Sequence, residues 1–172
     1  MMQILNAGGI PVLTDNLRKP DINNPKGYFE YEKVKTLPVN STWLNEAEGK
    51  AVKVIVQLIS YLPLNFNFSV IMMERSIDEI TLSQEKMIDN LGGKQSFVGK
   101  DILKKTFKLQ LAKARKYLSA NNNFKTFTIN YNELLSGTTE VLNNMSSELE
   151  LNLNLDNIDK IIDKSLYRNR VS

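Results

Sequence analysis

The sequence predicts a three-layer α/β domain, with a mainly parallel sheet and helices on both of its faces. Three observations carry that expectation. The runs Val52-Lys53-Val54-Ile55-Val56 and Val70-Ile71-Met72-Met73 are nearly continuous in apolar residues, as strands covered on both faces of a parallel sheet are. Helical patterns lie between and after the β-rich runs, the alternation that α/β folds require. A helix opening on a capping signal directly follows one of the strands.

In chain order, Met1 to Gly9 reads as the back half of a helix closed by a glycine cap. It leads into a short strand, Ile10–Thr14. The segment Asp15–Leu44 holds Pro20, Pro25, Gly27, Tyr28, Phe29, Tyr31 and Trp43. An aromatic-rich insertion of this kind is either a substrate region or a packed surface loop. Strands follow at Ala51–Gln57 and Ser69–Glu74. Ser76-Ile77-Asp78-Glu79 then forms a capping box, with Ser76 as N-cap and Glu79 three positions on. Ile77, Ile80, Gln84, Met87, Ile88 and Leu91 keep helical spacing until Gly92-Gly93.

The next helix spans Asp101 to Ser119, with Leu103, Phe107, Leu111, Ala114 and Leu118 as its buried stripe. Lys104, Lys105, Lys108, Lys113, Arg115 and Lys116 fill much of the remainder and read as a solvated face. A last strand is expected at Lys125–Tyr131. The tail Leu149–Asp159 is rich in Asn and Leu but keeps enough apolar residues to be ordered.

Composition narrows the chemistry. A chain of 172 residues, 42% hydrophobic and 24% charged, is the size and balance of one globular domain. It contains no histidine and no cysteine. That excludes a Ser-His-Asp triad, a Cys-His pair and histidine-ligated zinc. General-base work falls to a carboxylate, a lysine or a tyrosine. No apolar run reaches membrane-spanning length and no signal-peptide pattern opens the sequence, so the expected location is cytoplasmic. A net charge of +3 suits a phosphorylated small molecule as well as a nucleic acid.

The chemistry is expected beyond the carboxyl ends of the strands, where open α/β sheets bind ligands. Arg75 stands at such an end, and the helix behind it starts with unpaired N–H groups. Ser83 lies seven residues past Ser76, on the same side of that helix. An arginine fork, a hydroxyl and a positive helix end together make a phosphate cradle. The other reading of the same residues is an arginine paired with Glu74, Asp78 or Glu79.

Strand, arginine and then a serine at this spacing resembles the 3′-phosphate site of sulfotransferases. The surrounding text is similar to the bacterial sulfotransferase family over nearly the whole chain. It includes Ala7-Gly8-Gly9-Ile10-Pro11-Val12-Leu13-Thr14-Asp15, Asn24-Pro25-Lys26-Gly27-Tyr28 and Lys50-Ala51-Val52-Lys53-Val54-Ile55. Met73-Glu74-Arg75, Asn130-Tyr131-Asn132-Glu133-Leu134-Leu135 and Ser165-Leu166-Tyr167-Arg168 complete it.

The resemblance implies a P-loop-type fold of sulfotransferase architecture as a single domain over residues 1–172. It implies 3′-phosphoadenosine-5′-phosphosulfate as co-substrate, with no metal, and a hydroxyl or amine on a small molecule or glycan as acceptor. Neither nucleic acid nor a membrane is expected as a partner. Self-association through an open sheet edge is.

Under this resemblance Arg75 and Ser83 bind the 3′-phosphate, assisted by Arg168 or Arg170, although the family's C-terminal Arg-Lys-Gly pattern is not reproduced. The family opens with a strand and a Gly-rich turn that hold the 5′-phosphosulfate. The matching text begins after them, so the domain is expected to be N-terminally incomplete. Cytosolic eukaryotic members carry Lys-Thr-His where this chain has Lys53-Val54-Ile55. Other branches of the family use a glutamate, which makes Glu30 and Glu32 the candidate bases, with solvated surface charges as the other reading of each. Lys53 either faces the sulfuryl oxygens or ends a strand with its amine in water, and Tyr28–Tyr31 line the acceptor site. Two rivals stand beside this expectation. One is a non-catalytic remnant that binds adenosine 3′,5′-bisphosphate or a protein partner. The other is a nucleotide kinase of the same general architecture, which would need a Walker lysine and Mg²⁺.

Overall fold

Two strands, β1 (Phe68–Glu74) and β2 (Phe124–Asn130), pair in parallel from Phe68 opposite Phe124 to Glu74 opposite Asn130. The computed structural model describes residues 1–22, 24–90, 99–136, 138–156, 158 and 161. Because side chains alternate along a strand, this register puts Phe68, Val70, Met72, Phe124, Thr126 and Thr128 on one face. Ile71, Met73, Phe127 and Ile129 share the other.

Each face meets its own core. On the first face lie α3 (Lys100–Ser119) and a 3-10 segment, Val56–Tyr61. Their Ala114, Leu118 and Ile59 pack with Phe124, Leu62, Val34, Leu37, Trp43 and Leu44. Phe68 stacks on Phe124 at 5.3 Å between ring centroids. On the second face lie α1 (Met2–Ala7), α4 (Tyr131–Ser136) and α5 (Thr138–Glu148). Ile4, Leu5, Leu134, Leu142, Met145, Leu149 and Ile158 surround Ile129 there. The architecture is α/β: a small two-stranded parallel sheet between two helical layers.

The glycine closure of α1 is a Schellman cap. Ile10 N–H donates to Leu5 O at 2.9 Å and Gly9 N–H to Asn6 O at 3.3 Å, with Gly9 at φ +96°. The chain after α5 lies across this end. Asn154 N–H donates to Gly8 O at 2.9 Å, and a Cβ on Gly8 would stand 2.7 Å from Leu153 Cγ. Leu151, Leu153 and Leu155 point into the second core, so the tail is ordered as far as it is described.

Two expected strands are corrected. Ile10–Thr14 and Ala51–Gln57 meet only in one parallel bridge, Val12 to Ala51, where Leu13 N–H and Ala51 N–H exchange bonds with Ala51 O and Pro11 O. The second run then turns into the 3-10 segment at Val56. Its Val52, Val54 and Val56 pack against the first core. The apolar pattern therefore reports burial, while a strand also needs a neighbour along its backbone.

The aromatic segment folds as two further 3-10 turns, Glu32–Thr36 and Thr42–Ala47. Trp43 is buried in the first core and Tyr31 meets it edge-on at 5.5 Å. For these two rings the packed-loop reading holds. The helix α2 (Ile77–Asn90) follows β1 directly, as expected from Ser76, and is tied to α3 by Lys104–Asp78 at 2.5 Å. Its expected stop at Gly92-Gly93 lies outside the described residues. Among the described residues no helix is long and apolar enough to cross a membrane.

Candidate functional site

Arg75 leaves β1 at its carboxyl end, and its guanidinium is fixed from two sides. Nε donates to Glu79 Oε2 at 2.7 Å, one turn into α2. The Tyr131 ring lies against it, 4.9 Å from Cζ to the ring centroid. The placement of Tyr131 follows from the register. Glu74 is opposite Asn130, so the residues leaving the two parallel strands, Arg75 and Tyr131, emerge side by side. The Glu79 side chain is 4% exposed and that of Arg75 22% exposed. Of the three carboxylates that sequence offered to Arg75, Glu79 is the partner found. Glu74 instead pairs with Arg115 of α3, and Asp78 with Lys104. Lys104 holds the Asp78 carboxyl below its ordinary range by hydrogen bond and charge. Ser83 sits half-buried in α2, two turns beyond the N-cap position.

A second group forms around Glu30. Its carboxylate accepts from Arg18 Nη1 at 3.2 Å and from Lys53 Nζ at 3.4 Å. Lys53 also donates to Tyr28 O at 3.1 Å. Arg18 Cζ lies over the buried Tyr28 ring, 3.4 Å from its centroid, and the Tyr28 hydroxyl donates to Asp21 at 2.8 Å. Burial, then the bond to Asp21, pushes the Tyr28 hydroxyl pKa up. Two of the expected catalytic residues, Glu30 and Lys53, are thus brought together from 23 residues apart in sequence.

The third, Glu32, is turned outward and bonded to Lys35 at 2.7 Å, an exposed pair. Between Tyr28 and Glu30 the backbone is left-handed at Phe29, φ +51°. That conformation costs a non-glycine residue about 1–2 kcal/mol. It is the kind of local strain that accumulates where a side chain must be aimed. Asp15 helps hold the turn by accepting the Glu32 and Leu17 N–H groups at 2.6 and 3.0 Å.

Arg168 and Arg170 lie outside the described residues. Sequence reasoning missed Arg18 and Tyr131. Tyr131 was marked by its position at the carboxyl end of the last expected strand, one residue beyond the end of β2 in the structure. Arg18 carried no signal, because its role depends on the fold of the loop. A cleft of about 390 Å³ opens beside the sheet, lined by Met72, Arg115, Leu118, Phe124, Thr126 and Thr128 among others. Among the described residues no group of three or more carboxylates gathers as a metal site.

No family model, curated protein or solved structure matches the chain. The functional reading therefore rests on the residues and their geometry.

Proposed function

We propose that this chain is sulfotransferase-like, transferring a sulfuryl group from 3′-phosphoadenosine-5′-phosphosulfate to a hydroxyl or amine acceptor. The observation that carries the reading is Arg75, held by Glu79 and Tyr131 at the carboxyl end of a parallel strand and at the start of a helix. Open α/β sheets bind ligands at such ends, and an arginine beside a helix N-terminus suits a phosphate.

In this proposal Glu79 takes the Nε–H and fixes the guanidinium plane, and the Nη edge meets the 3′-phosphate together with Ser83. Glu30 receives the acceptor's proton while the acceptor oxygen or nitrogen forms its bond to sulfur. The bond from sulfur to the phosphate oxygen breaks, and adenosine 3′,5′-bisphosphate leaves. Lys53 offsets charge on the sulfuryl oxygens. The Glu30–Lys53 contact and the strained Phe29 between Tyr28 and Glu30 support Glu30 over Glu32 as the base.

A second reading stands on the same contacts. Arg75 and Ser83 bear on binding and take no part in the transfer step, so the chain would bind adenosine 3′,5′-bisphosphate or a protein partner without turnover. Sulfuryl transfer from labelled donor to a panel of phenols, sugars and amines separates the two. Transfer that is lost in Glu30→Gln supports the first, and binding without transfer supports the second. Mg²⁺-dependent ATP binding with no bisphosphate binding would replace both with a nucleotide kinase.

A further inference from the structure

The α3 helix has two contrasting sides. One side carries Ala114 and Leu118 into the first core and ties the helix to α2 and β1 through Lys104–Asp78 and Arg115–Glu74. The opposite side carries Ile102, Lys105, Leu109, Lys113 and Lys116, at steps of three or four residues that keep one face of a helix. All five are exposed, and Lys108 flanks them. Ile102 is 62% exposed and Leu109 63%. Among the described residues none of Lys105, Lys108, Lys113 and Lys116 takes part in an ion pair, and no acidic residue stands in the stripe.

We propose that this outward face of α3 docks on an anionic phospholipid surface, lying on it rather than crossing it. Charge complementarity gives the sign of the surface, with Lys105, Lys113 and Lys116 along one helix face and Lys108 beside them. The two aliphatic side chains select lipid among polyanions. Nucleic-acid phosphates are met by cations and hydrogen-bond donors and gain little from exposed isoleucine and leucine. At the boundary between headgroups and acyl chains, by contrast, aliphatic side chains insert while lysine stems cover apolar surface and raise their amines to the phosphates. The helix is already anchored by its other side, so docking requires no unfolding.

The test is flotation of the full chain with phosphatidylcholine vesicles, with and without phosphatidylserine. The protein should rise with the phosphatidylserine vesicles and stay behind with pure phosphatidylcholine, and added salt should weaken the association. Each lysine changed to glutamine in the stripe should weaken binding about fivefold. The double variant Ile102→Ser/Leu109→Ser, which leaves the charge unchanged, should weaken it about tenfold or more. These side chains are exposed, so the variants should retain wild-type circular dichroism and melting. Equal behaviour with the two vesicle types overturns the proposal. So does undiminished vesicle binding by the double variant. Competition by a single-stranded oligonucleotide that wild type and double variant bind equally would reassign the face to nucleic acid.

Discussion

Substituting Arg75 by alanine should take from the buried Glu79 carboxylate, at the start of α2, the guanidinium that donates to it. The Glu79 side chain is 4% exposed, and the Nε–Oε2 bond of 2.7 Å is short and charge-assisted. Breaking one partner of a buried pair costs about 3–5 kcal/mol, and the 22% exposure of Arg75 places this pair at about 3 kcal/mol, the lower end. Glu79→Gln keeps an acceptor for the Nε–H and removes the buried charge, so it should cost less, about 1–2 kcal/mol. The double variant Arg75→Ala/Glu79→Gln should cost less than the two single losses together, by about 1–3 kcal/mol of coupling. Urea unfolding of the four proteins, read as shifts in midpoint at constant slope, measures the cycle. An Arg75→Ala protein within about 0.5 kcal/mol of wild type, the range of ordinary surface changes, would refute the reasoning. Glu79 would then have other support, and the guanidinium would not be fixed by it.

Two further outcomes follow from the same contacts. Leu142 is fully buried in the second core, so Leu142→Ala should lower stability by about 2–5 kcal/mol with an unchanged fold, measured by urea unfolding and circular dichroism. Asp15, Asp78, Glu46 and Glu150 have carboxyls held below their ordinary range. The causes are the N–H groups of Glu32 and Leu17, then Lys104, then Lys33 with the Tyr31 hydroxyl, and then Lys125. Their stabilising contribution is full above the unfolded carboxylate range near pH 4 and is lost as pH falls through the lower folded values. The urea midpoint should therefore hold from about pH 7 to pH 5 and decline below about pH 4, with a smaller decline in Asp15→Asn.

The elements that were legible in sequence are those whose signal is local and repeated. α3 spans the expected range, and of its expected stripe Ala114 and Leu118 are buried while Leu103, Phe107 and Leu111 are half-buried. The two paired strands agree with the expected runs to within one residue at each end. Ala51–Gln57 was misread because apolar density shows that a segment is covered, whereas pairing depends on a second segment elsewhere in the chain. The position of Arg75 at a strand end was legible, and the i to i+4 spacing made Glu79 one of its three candidate partners. Choosing among them required knowing that Glu74 points to α3 and Asp78 to Lys104. The Glu30–Lys53–Arg18 group was illegible as a unit, since a loop with left-handed residues at Asn16 and Phe29 brings it together.

In the proposed function Arg75 and Ser83 form a 3′-phosphate site. Calorimetry of the full chain with adenosine 3′,5′-bisphosphate and with AMP tests it most directly, on wild type, Ser83→Ala and Arg75→Ala. The bisphosphate should bind more tightly than AMP. Arg75→Ala should weaken bisphosphate binding by about 2–5 kcal/mol, as expected for losing a charged partner of a phosphate, and should erase the preference over AMP. Equal affinity of the wild-type protein for the two nucleotides would contradict the account, leaving Arg75 as the clasp between β1 and α2 and nothing more.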